Sequence, residues 1–302
     1  MARTGLVYDD DMLLHDTGAG HPERPARLTA IMDAFRDAGL DPPRITIQPA
    51  TLEDLARVHE ENHIEDIRQA CAVGGYDDPD TPMMAASWKA ALLAAGGVMS
   101  ACKAVLDGAV DNVFCAVRPP GHHSEYDRSM GFCLFNNIAI AARWLQTCAG
   151  LKRIAILDWD IHHGNGTQQA FYEDTSVLFA SLHQHPHYPG TGWPFERGIA
   201  NNIINIQMQR GCGPDEWLAA LDDKILPEFE RFDPEFLLIS AGFDTHHLDP
   251  LGGQLLESET FGDMTRCVKG LAKGRIVSTL EGGYHLEALG ESAVAHFRAL
   301  AE

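Results

Sequence analysis

The 302-residue sequence has few cysteines, few basic residues and no obvious membrane-spanning segment. Its seven cysteines are scattered and include no C-x-x-C pair, which argues against a disulfide framework and for a reducing compartment. The N-terminal residues lack the apolar core of a signal peptide, and no stretch approaches the length of a membrane span. We therefore expect a cytoplasmic protein without membrane association.

Basic residues are the second shortage. The chain has 23 Lys and Arg against 43 Asp and Glu, a formal net charge of −20 at pH 7. Direct binding of nucleic acid is not expected, because phosphate contacts require clustered lysine and arginine. Such a field would instead attract a cationic substrate, for example a lysine-rich protein or a polyamine. Taken alone, the acidity is explained more simply by solubility.

The sequence also lacks internal repeats, low-complexity segments and flexible linkers, so we predict one domain over residues 1–302. Apolar runs predict strands at Asn112–Val117, Arg153–Leu157, Val177–Ser181, Ile203–Ile206, Phe236–Ser240 and Arg275–Leu280. Periodicity predicts helices at Pro25–Ala38, Ala85–Leu106, Asn137–Cys148, Pro214–Phe232, Ser258–Ala272 and His285–Ala301. This alternation predicts an α/β fold with a parallel sheet covered on both faces.

Metal-capable residues are concentrated in one segment, which reads I-L-D-W-D-I-H-H-G-N-G-T over residues 156–167. Alternate residues of a strand face the same side, so Asp158, Asp160 and His162 should converge at a strand's carboxyl end. Open α/β sheets place their sites there. Capping of the following helix would explain one such residue. It does not explain two carboxylates and two histidines, because buried polar groups must be paired or functional.

Three other predicted strands also end in ionisable or hydroxyl groups. His122 and His123 follow residues 112–117 in R-P-P-G-H-H, Asp244 follows 236–240, and Tyr284 follows 275–280. The carboxyl ends of parallel strands lie on one side of a sheet, so these groups can meet in one crevice. Together they predict a metallohydrolase-type site.

Several motifs resemble those of the histone deacetylases and their bacterial relatives. They are H-P-E-R-P-A-R-L (21–28), R-P-P-G-H-H (118–123), G-F-C-L-F-N-N (131–137), D-W-D-I-H-H-G-N-G-T (158–167), S-A-G-F-D (240–244), D-P-L-G-G (249–253) and E-G-G-Y (281–284). The asparagine in H-H-G-N-G and the E-G-G-Y ending are closer to the class II branch. The resemblance implies the arginase–deacetylase fold, a three-layer αβα sandwich with a central, mostly parallel sheet.

The resemblance implies that Asp160, His162 and Asp244 bind a catalytic Zn²⁺. Three protein ligands would leave room for water and a substrate oxygen. Two carboxylates and one imidazole are harder ligands than thiolates, so Fe²⁺ or Co²⁺ could also occupy the site. A capping carboxylate is the alternative interpretation of Asp244 alone.

The resemblance also implies catalytic roles for the tandem histidines and the tyrosine. His123 would be the main general base, oriented by the neutral amide of Asn165. His122 would be held as an imidazolium by Asp158 and act electrostatically. Tyr284 would donate its hydroxyl to the developing oxyanion. The alternatives are a hydrogen-bonded pair of core histidines and a packed tyrosine.

Four further residues match a narrow substrate tunnel, namely Gly131, Phe132, Tyr188 and Leu251. Aromatic walls suit the methylene chain of a lysine. Ordinary core packing is the alternative and explains Tyr188 equally well. Leu251 stands where acetylpolyamine-selective relatives carry an acidic gatekeeper, and it cannot pair with a distant ammonium. This favours acyl-lysine as the substrate.

The resemblance further implies structural K⁺ at two sites. The inner site would take ligands from Asp158, Asp160, His162, Ser181 and Leu182, and the outer site would take carbonyl oxygens from Phe171 and Val177. Arg27 matches an arginine of the family's internal channel, and a salt bridge on a helix surface is the alternative.

Three groups of polar residues have no assigned role. The histidines of H-Q-H-P-H-Y (183–188) could bind a second metal on a strand, although a solvated loop is the simpler interpretation. His246 and His247 could line the rim of the tunnel. The loop Gly74–Pro82 could contact the substrate backbone through one of its acidic residues, Asp77, Asp78 or Asp80.

The sequence therefore predicts a zinc-dependent amidohydrolase that removes acyl groups from lysine side chains of proteins or peptides. Hydrolysis of small acylated amines, including acetylpolyamines, is the main alternative. A two-metal ureohydrolase would need further aspartate ligands, and a non-catalytic binding module would not need His123 and Tyr284. The acyl chain length, the native metal, the oligomeric state and the relevance of histones stay open.

Overall fold

The structure is a computed structural model that describes residues 2–76 and 78–302. Its strands are β1 (Thr4–Val7), β2 (Gly75–Tyr76), β3 (Pro82–Met83), β4 (Asn112–Cys115), β5 (Ile154–Asp158), β6 (Val177–Gln184), β7 (Ile203–Met208), β8 (Phe236–Ala241) and β9 (Ile276–Leu280). Seven of them form one parallel sheet with the order β1-β4-β9-β8-β5-β6-β7. The short strands β2 and β3 form a separate antiparallel pair.

The central strands are buried at every position, as a parallel sheet with two covered faces requires. Their apolar runs are what made them predictable from the sequence. β6 extends three residues beyond the predicted end at Ser181, because His183 and Gln184 are polar but buried. The His183 ring is hydrogen-bonded to Ser181 Oγ and to the carbonyl of Gly192, which makes its burial tolerable.

The helices that flank the sheet are α1 (Ala26–Asp37), α2 (Leu52–Leu55), α3 (Glu61–Val73), α4 (Ala85–Leu106), α5 (Asn137–Thr147), α6 (Asn165–Phe171), α7 (Pro214–Ala220), α8 (Leu226–Phe232), α9 (Ser258–Val268) and α10 (Leu286–Ala301). α10 packs against α1 and α9, while α4 packs against α5. The predicted α/β sandwich is confirmed.

Two predicted helices differ from the structure for local reasons. The helix predicted over Pro214–Phe232 is divided into α7 and α8 by a π-helical turn at Leu221–Ile225. Pro227 follows this turn, and because proline has no N–H it cannot donate a hydrogen bond to a carbonyl of the preceding helical turn. The helix predicted to reach Ala272 ends at Val268, and Ala272 itself has a φ of +50°.

Helix α4 contradicts one expectation about length. By length and composition alone it could cross a membrane, although the sequence suggested that no stretch approaches such a span. In the fold it packs against α3, α5, β1, β4 and β9, and 67% of its most apolar window is buried. These contacts are those of a core helix.

The strand order determines where the polar motifs meet. β4, β9, β8 and β5 are consecutive neighbours in the sheet, and each of them is followed by one of the motifs. All four run in the same direction, so their carboxyl ends form one continuous edge. The segments after these strands therefore build a single site.

Candidate active site at the carboxyl edge of the sheet

Asp160, His162 and Asp244 come together where β5 and β8 end side by side. His162 Nδ1 lies 2.9 Å from Asp160 Oδ1 and 3.2 Å from Asp244 Oδ2, and all three residues are buried. Tetrahedral ligation with bonds of about 2.0–2.1 Å would place ligand atoms roughly 3.3 Å apart. The separations in the structure therefore suit a divalent ion of the size of zinc.

The charges of this group also suit a cation. Within the described part of the chain, Asp244 Oδ2 is buried without a hydrogen-bond partner, whereas Oδ1 accepts the Ile161 N–H at 2.9 Å. Burial, together with the carboxylate of Asp160, raises the pKa of Asp244 to about 7. Two buried carboxylates this close need a positive charge between them, and a divalent metal ion would supply it.

Glycine is required beside these carboxylates. A Cβ on Gly282 would lie 2.0 Å from Asp244 Oδ2, and one on Gly242 would lie 2.3 Å from Asp160 Oδ2. The Gly282 N–H donates to Asp160 Oδ2 at 2.8 Å, which orients that carboxylate. The double glycine of E-G-G-Y thus lets the backbone of the loop after β9 reach the ligand group.

The tandem histidines lie beside this group with their rings 4.0 Å apart. His122 Nδ1–H donates to Asp158 Oδ2 at 2.9 Å, and His123 Nδ1–H donates to Asn165 Oδ1 at 2.8 Å. In both rings Nδ1 makes this hydrogen bond, so Nε2 points away from the hydrogen-bond partner. The Asn165 amide donates in turn to Glu125, a contact that sequence reasoning missed.

The two histidines differ in their protonation. Burial opposes the charged form of His122, but the carboxylates of Asp158 and Asp160 outweigh it and raise its pKa to about 10. Burial, with the neighbouring His122 and His162, lowers the pKa of His123 well below its ordinary value. His122 is therefore an imidazolium and His123 a neutral imidazole at physiological pH.

Glu281 holds the loop that carries the tandem histidines. Its carboxylate accepts the N–H groups of Gly121 at 2.7 Å and His122 at 3.1 Å, and the hydroxyl of Ser240 at 3.1 Å. Burial raises the pKa of Glu281 to about 7. The sequence predicts a role for Tyr284 of E-G-G-Y but gives no sign that the glutamate of this motif points back to the histidine loop.

A cavity of about 230 Å³ leads to this group of residues. It is lined by Asp80, His123, Gly131, Phe132, His162, His187, Tyr188, Leu251 and Tyr284. The predicted tunnel residues are thus brought together with the candidate base, one metal ligand and the tyrosine. Burial raises the pKa of Tyr284 well above its ordinary value, which keeps its phenol protonated.

Backbone geometry at one wall of the tunnel is unusual. A Cβ on Gly131, where φ is +55°, would lie 2.4 Å from His123 Cδ2. Phe132 has a φ of +69°, which is rare for a residue with a side chain. Such conformations persist where the surrounding structure requires them, often at functional sites. The wall is therefore shaped closely around the candidate base.

Two residues of the lining were missed or not assigned. His187 stacks on His162 with ring centroids 4.8 Å apart, and its Nε2–H donates to the Leu251 carbonyl at 3.0 Å. Asp80 is the acidic residue of its loop that lines the tunnel, while Asp77 lies outside the described residues. Neither position could be fixed from the sequence, since both depend on loop conformation.

The other histidines have separate surroundings. His185 packs against Trp193, with ring centroids 4.6 Å apart, whereas His183 is a hydrogen-bonded residue of β6. The described residues thus give no common metal site for His183, His185 and His187. His246 and His247 line a different cavity, formed with α1 and α10, and not the tunnel.

The residues expected to hold monovalent cations fall into two groups. Asp158 and Ser181 are paired in register on β5 and β6, so these two residues of the inner group are neighbours. The outer carbonyls of Phe171 and Val177 accept the Asn202 side-chain amide at 2.8 and 3.2 Å. These contacts do not test cation binding, so both cation sites stay predictions.

Arg27 is buried beneath the tyrosine and not exposed on a helix surface. Its guanidinium lies 4.9 Å from the ring centroid of Tyr284 and donates to the Gly283 carbonyl at 2.6 Å. It also pairs with the buried carboxylate of Glu23 at 3.2 Å. The surface salt bridge considered as its alternative role is therefore wrong.

Comparisons with known proteins agree with this arrangement. Residues 21–300 match the family described as the histone deacetylase domain. The chain is 41% identical over 295 residues to a probable deacetylase of Archaeoglobus fulgidus, covering 94% of this chain and 82% of that one. It is 39% identical over 319 residues to the polyamine deacetylase HDAC10 of Homo sapiens, covering 96% of this chain and 46% of that relative.

A solved structure shows the same similarity in three dimensions. The crystal structure of the HDA15 HD domain superposes with a TM-score of 0.95 at 37% sequence identity. The match covers 99% of this chain and 88% of that one.

Proposed function

The chain belongs to the histone deacetylase family and is a deacetylase that hydrolyses amides, and we propose that its substrates are acylated lysine side chains of proteins or peptides. The observation that carries this proposal is the lining of the 230 Å³ tunnel. Phe132 and Tyr188 offer aromatic walls to an alkyl chain, and Leu251 offers no charge to a second ammonium.

Asp160, His162 and Asp244 would hold the metal ion, which we propose to be Zn²⁺, with Fe²⁺ or Co²⁺ as alternatives. When bound, the ion supplies Lewis-acid activation of the amide carbonyl and of the attacking water. The carboxylates of these ligands are oriented by backbone hydrogen bonds. The Ile161 N–H donates to Asp244, and the Gly282 N–H donates to Asp160.

His123 would remove the proton from the attacking water. Its Nδ1–H is engaged by Asn165, so the free lone pair is on Nε2. A neutral base is available because burial and the adjacent imidazolium keep the pKa of His123 low. The proton is later given to the leaving amine. His122, held charged by Asp158, stabilises negative charge next to the base.

Tyr284 would donate its hydroxyl to the oxygen that becomes negatively charged during attack. The residue lines the tunnel together with His123 and His162. The raised pKa of the phenol keeps the donor protonated across the working pH range. The inner group, which includes Asp158 and Ser181, would hold a structural K⁺.

Small acylated amines are the second candidate substrate class, and one observation favours them. Asp80 places a carboxylate in the tunnel lining, where it could attract the free ammonium of an acetylpolyamine. A similar relative is named a polyamine deacetylase. The two substrate classes differ in what lies beyond the tunnel, namely a peptide backbone or a second ammonium.

The test compares kcat/KM for an acetyl-lysine peptide and for acetylspermidine, with chelator treatment and Zn²⁺ add-back. We expect metal-dependent turnover with a preference for the peptide of at least about tenfold, or 1.4 kcal/mol. Leu251→Glu should shift the preference toward acetylspermidine. Leu255→Glu, at a leucine 53% exposed and outside the tunnel, is the matched control.

If the unchanged protein prefers acetylspermidine, the acyl-lysine proposal is wrong and small acylated amines are the substrate class. Absence of turnover on either substrate with zinc bound would contradict both proposals.

A further inference from the structure

Asp249 joins two of the loops that line the tunnel. Its Oδ2 accepts the backbone N–H of Tyr284 at 2.6 Å and that of His285 at 3.3 Å. Its Oδ1 accepts the N–H of Leu251 at 3.0 Å. The residue is only 8% exposed and does not itself line the tunnel, although it holds two residues that do.

Burial raises the pKa of Asp249, and the backbone N–H groups that its carboxylate accepts oppose this rise. Helix α10 begins at Leu286, and Tyr284 and His285 present their N–H groups just before its first turn. A negative charge at a helix N-terminus is stabilised by the unpaired N–H groups and by the helix dipole. The described residues include no salt-bridge partner for Asp249, so its charge is balanced largely by backbone donors.

Tyr284 needs such an anchor because of the residues that precede it. Gly282 and Gly283 are required for close packing, and Gly283 has a φ of +119°, which leaves this loop little intrinsic rigidity. The Tyr284 ring contacts the Arg27 guanidinium, 4.9 Å from its centroid, and the Phe132 ring, at a centroid distance of 5.8 Å, but these contacts act on the ring and not on the Tyr284 backbone.

We propose that Asp249 is a positioning residue that fixes the backbone of Tyr284 and so places its hydroxyl for the oxyanion. This inference rests on the proposed role of Tyr284 in deacylation. The same carboxylate holds Leu251, whose carbonyl accepts from His187, and His187 stacks on His162. One buried carboxylate thereby binds the backbone of both Tyr284 and Leu251.

Asp249→Asn tests the proposal with little change in size. One of the two carboxylate oxygens is replaced by an NH₂ group, which cannot accept a hydrogen bond from a backbone N–H. We expect kcat on acetyl-lysine peptide to fall by roughly a hundredfold with little change in KM, because misplacement by about 1 Å is enough for such a loss.

The chain offers a closely matched control. Glu235 Oε2 also accepts two consecutive backbone N–H groups, those of Lys152 at 2.7 Å and Arg153 at 3.0 Å, at the opposite edge of the sheet. Glu235→Gln should leave kcat and KM unchanged. If Asp249→Asn does not fold, Asp249→Ser, which can still accept one N–H, replaces it.

A double-mutant cycle shows whether Asp249 acts through Tyr284. If it does, Asp249→Asn should cost at most about threefold in a Tyr284→Phe background, where the hydroxyl is already lost. A full hundredfold loss in that background would overturn the proposal, because the carboxylate would then act on another part of the site.

Hydrogen exchange gives a readout that does not depend on turnover. In the protein as purified, the amides of Tyr284 and His285 should exchange faster in Asp249→Asn, while peptides from β5 should not change. Unchanged exchange at these two amides would overturn the proposal. A protein that turns over no acylated amine at all would instead contradict the proposed function, and the exchange result would still stand.

Discussion

The two edges of the central sheet both collect charged residues, but they hold them in different surroundings. At the carboxyl edge, the carboxylates of Asp158, Asp160, Asp244, Asp249 and Glu281 are all buried. At the amino edge, the charged residues before β5, β8 and β9 line a cavity of about 560 Å³. The Arg153–Asp233 pair there is 3.1 Å apart, with side chains 43% and 85% exposed.

The difference shows that the extent of burial, and not cavity size, distinguishes the site. The cavity at the amino edge is more than twice as large as the tunnel, and another, of about 790 Å³, lies between α1 and α10. Exposed charges interact weakly because water screens them. Buried carboxylates that lack enough neighbouring cations have shifted pKa values and favour binding of a metal ion. Such shifted groups are typical of active sites.

The largest expected effect separates the two edges most clearly. Asp244→Asn removes the charge of one candidate metal ligand. We expect kcat/KM to fall roughly a thousandfold, which corresponds to a loss of about 4 kcal/mol in transition-state stabilisation. Metal content measured by elemental analysis should fall with it. Asp233→Asn, at the amino edge, should change neither quantity. Equal activity of the two variants would break the comparison.

Loss of the candidate base comes next. His123→Ala should lower kcat by about 10²–10⁴-fold while metal content stays unchanged, because the imidazole is not a ligand. Steady-state kinetics and metal analysis of the same preparation check this. A loss of metal in His123→Ala would mean that the residue belongs to the ligand group instead.

The free energy of unfolding should also differ between a buried and an exposed ion pair, independently of catalysis. Glu23 is a fully buried carboxylate that pairs with Arg118 and Arg27, so Glu23→Gln leaves buried cations without their partner. We expect a loss of about 3–5 kcal/mol in the free energy of unfolding. The exposed Arg153→Ala should cost at most about 1 kcal/mol. Urea unfolding measures both, and similar losses would argue against burial as the deciding factor.

The smallest expected effect concerns pH. Asn165→Asp places a carboxylate against His123 Nδ1 and should raise the pKa of that imidazole by about 1–3 units. The base works only when neutral, so the acid limb of kcat/KM should move to higher pH, with activity retained above it. Asn62→Asp, at an exposed position of α3, is the control. An unshifted acid limb would remove His123 from the role of base.

Much of the fold was predictable because its strands are apolar throughout. Residues such as those of β5 can be buried on both faces only in a covered parallel sheet, and the sequence shows that directly. β1 escaped notice because Thr4–Val7 is too short to show a period. α3 escaped because its first turn, Glu61-Asn62-His63, is polar.

The site was predictable only where its residues directly follow a strand. Asp160 and Asp244 are placed by the ends of β5 and β8, and strand direction alone brings them to one edge. Asp249, Asp80 and His187 lie in irregular loops, and their contacts with Tyr284, the tunnel and His162 depend on how those loops fold. Sequence spacing carries no information about such contacts.

The strand order also determines when the site can form during synthesis. β9 is the last strand of the chain, yet it lies between β4 and β8 and is their only link in the sheet. Until it is inserted, the segment with the tandem histidines is not joined through the sheet to the strands that carry the metal ligands. Such long-range pairing is slow to form. A nascent chain can thus bring its candidate metal ligands together early, but the complete site requires that residues 276–284 have left the ribosome.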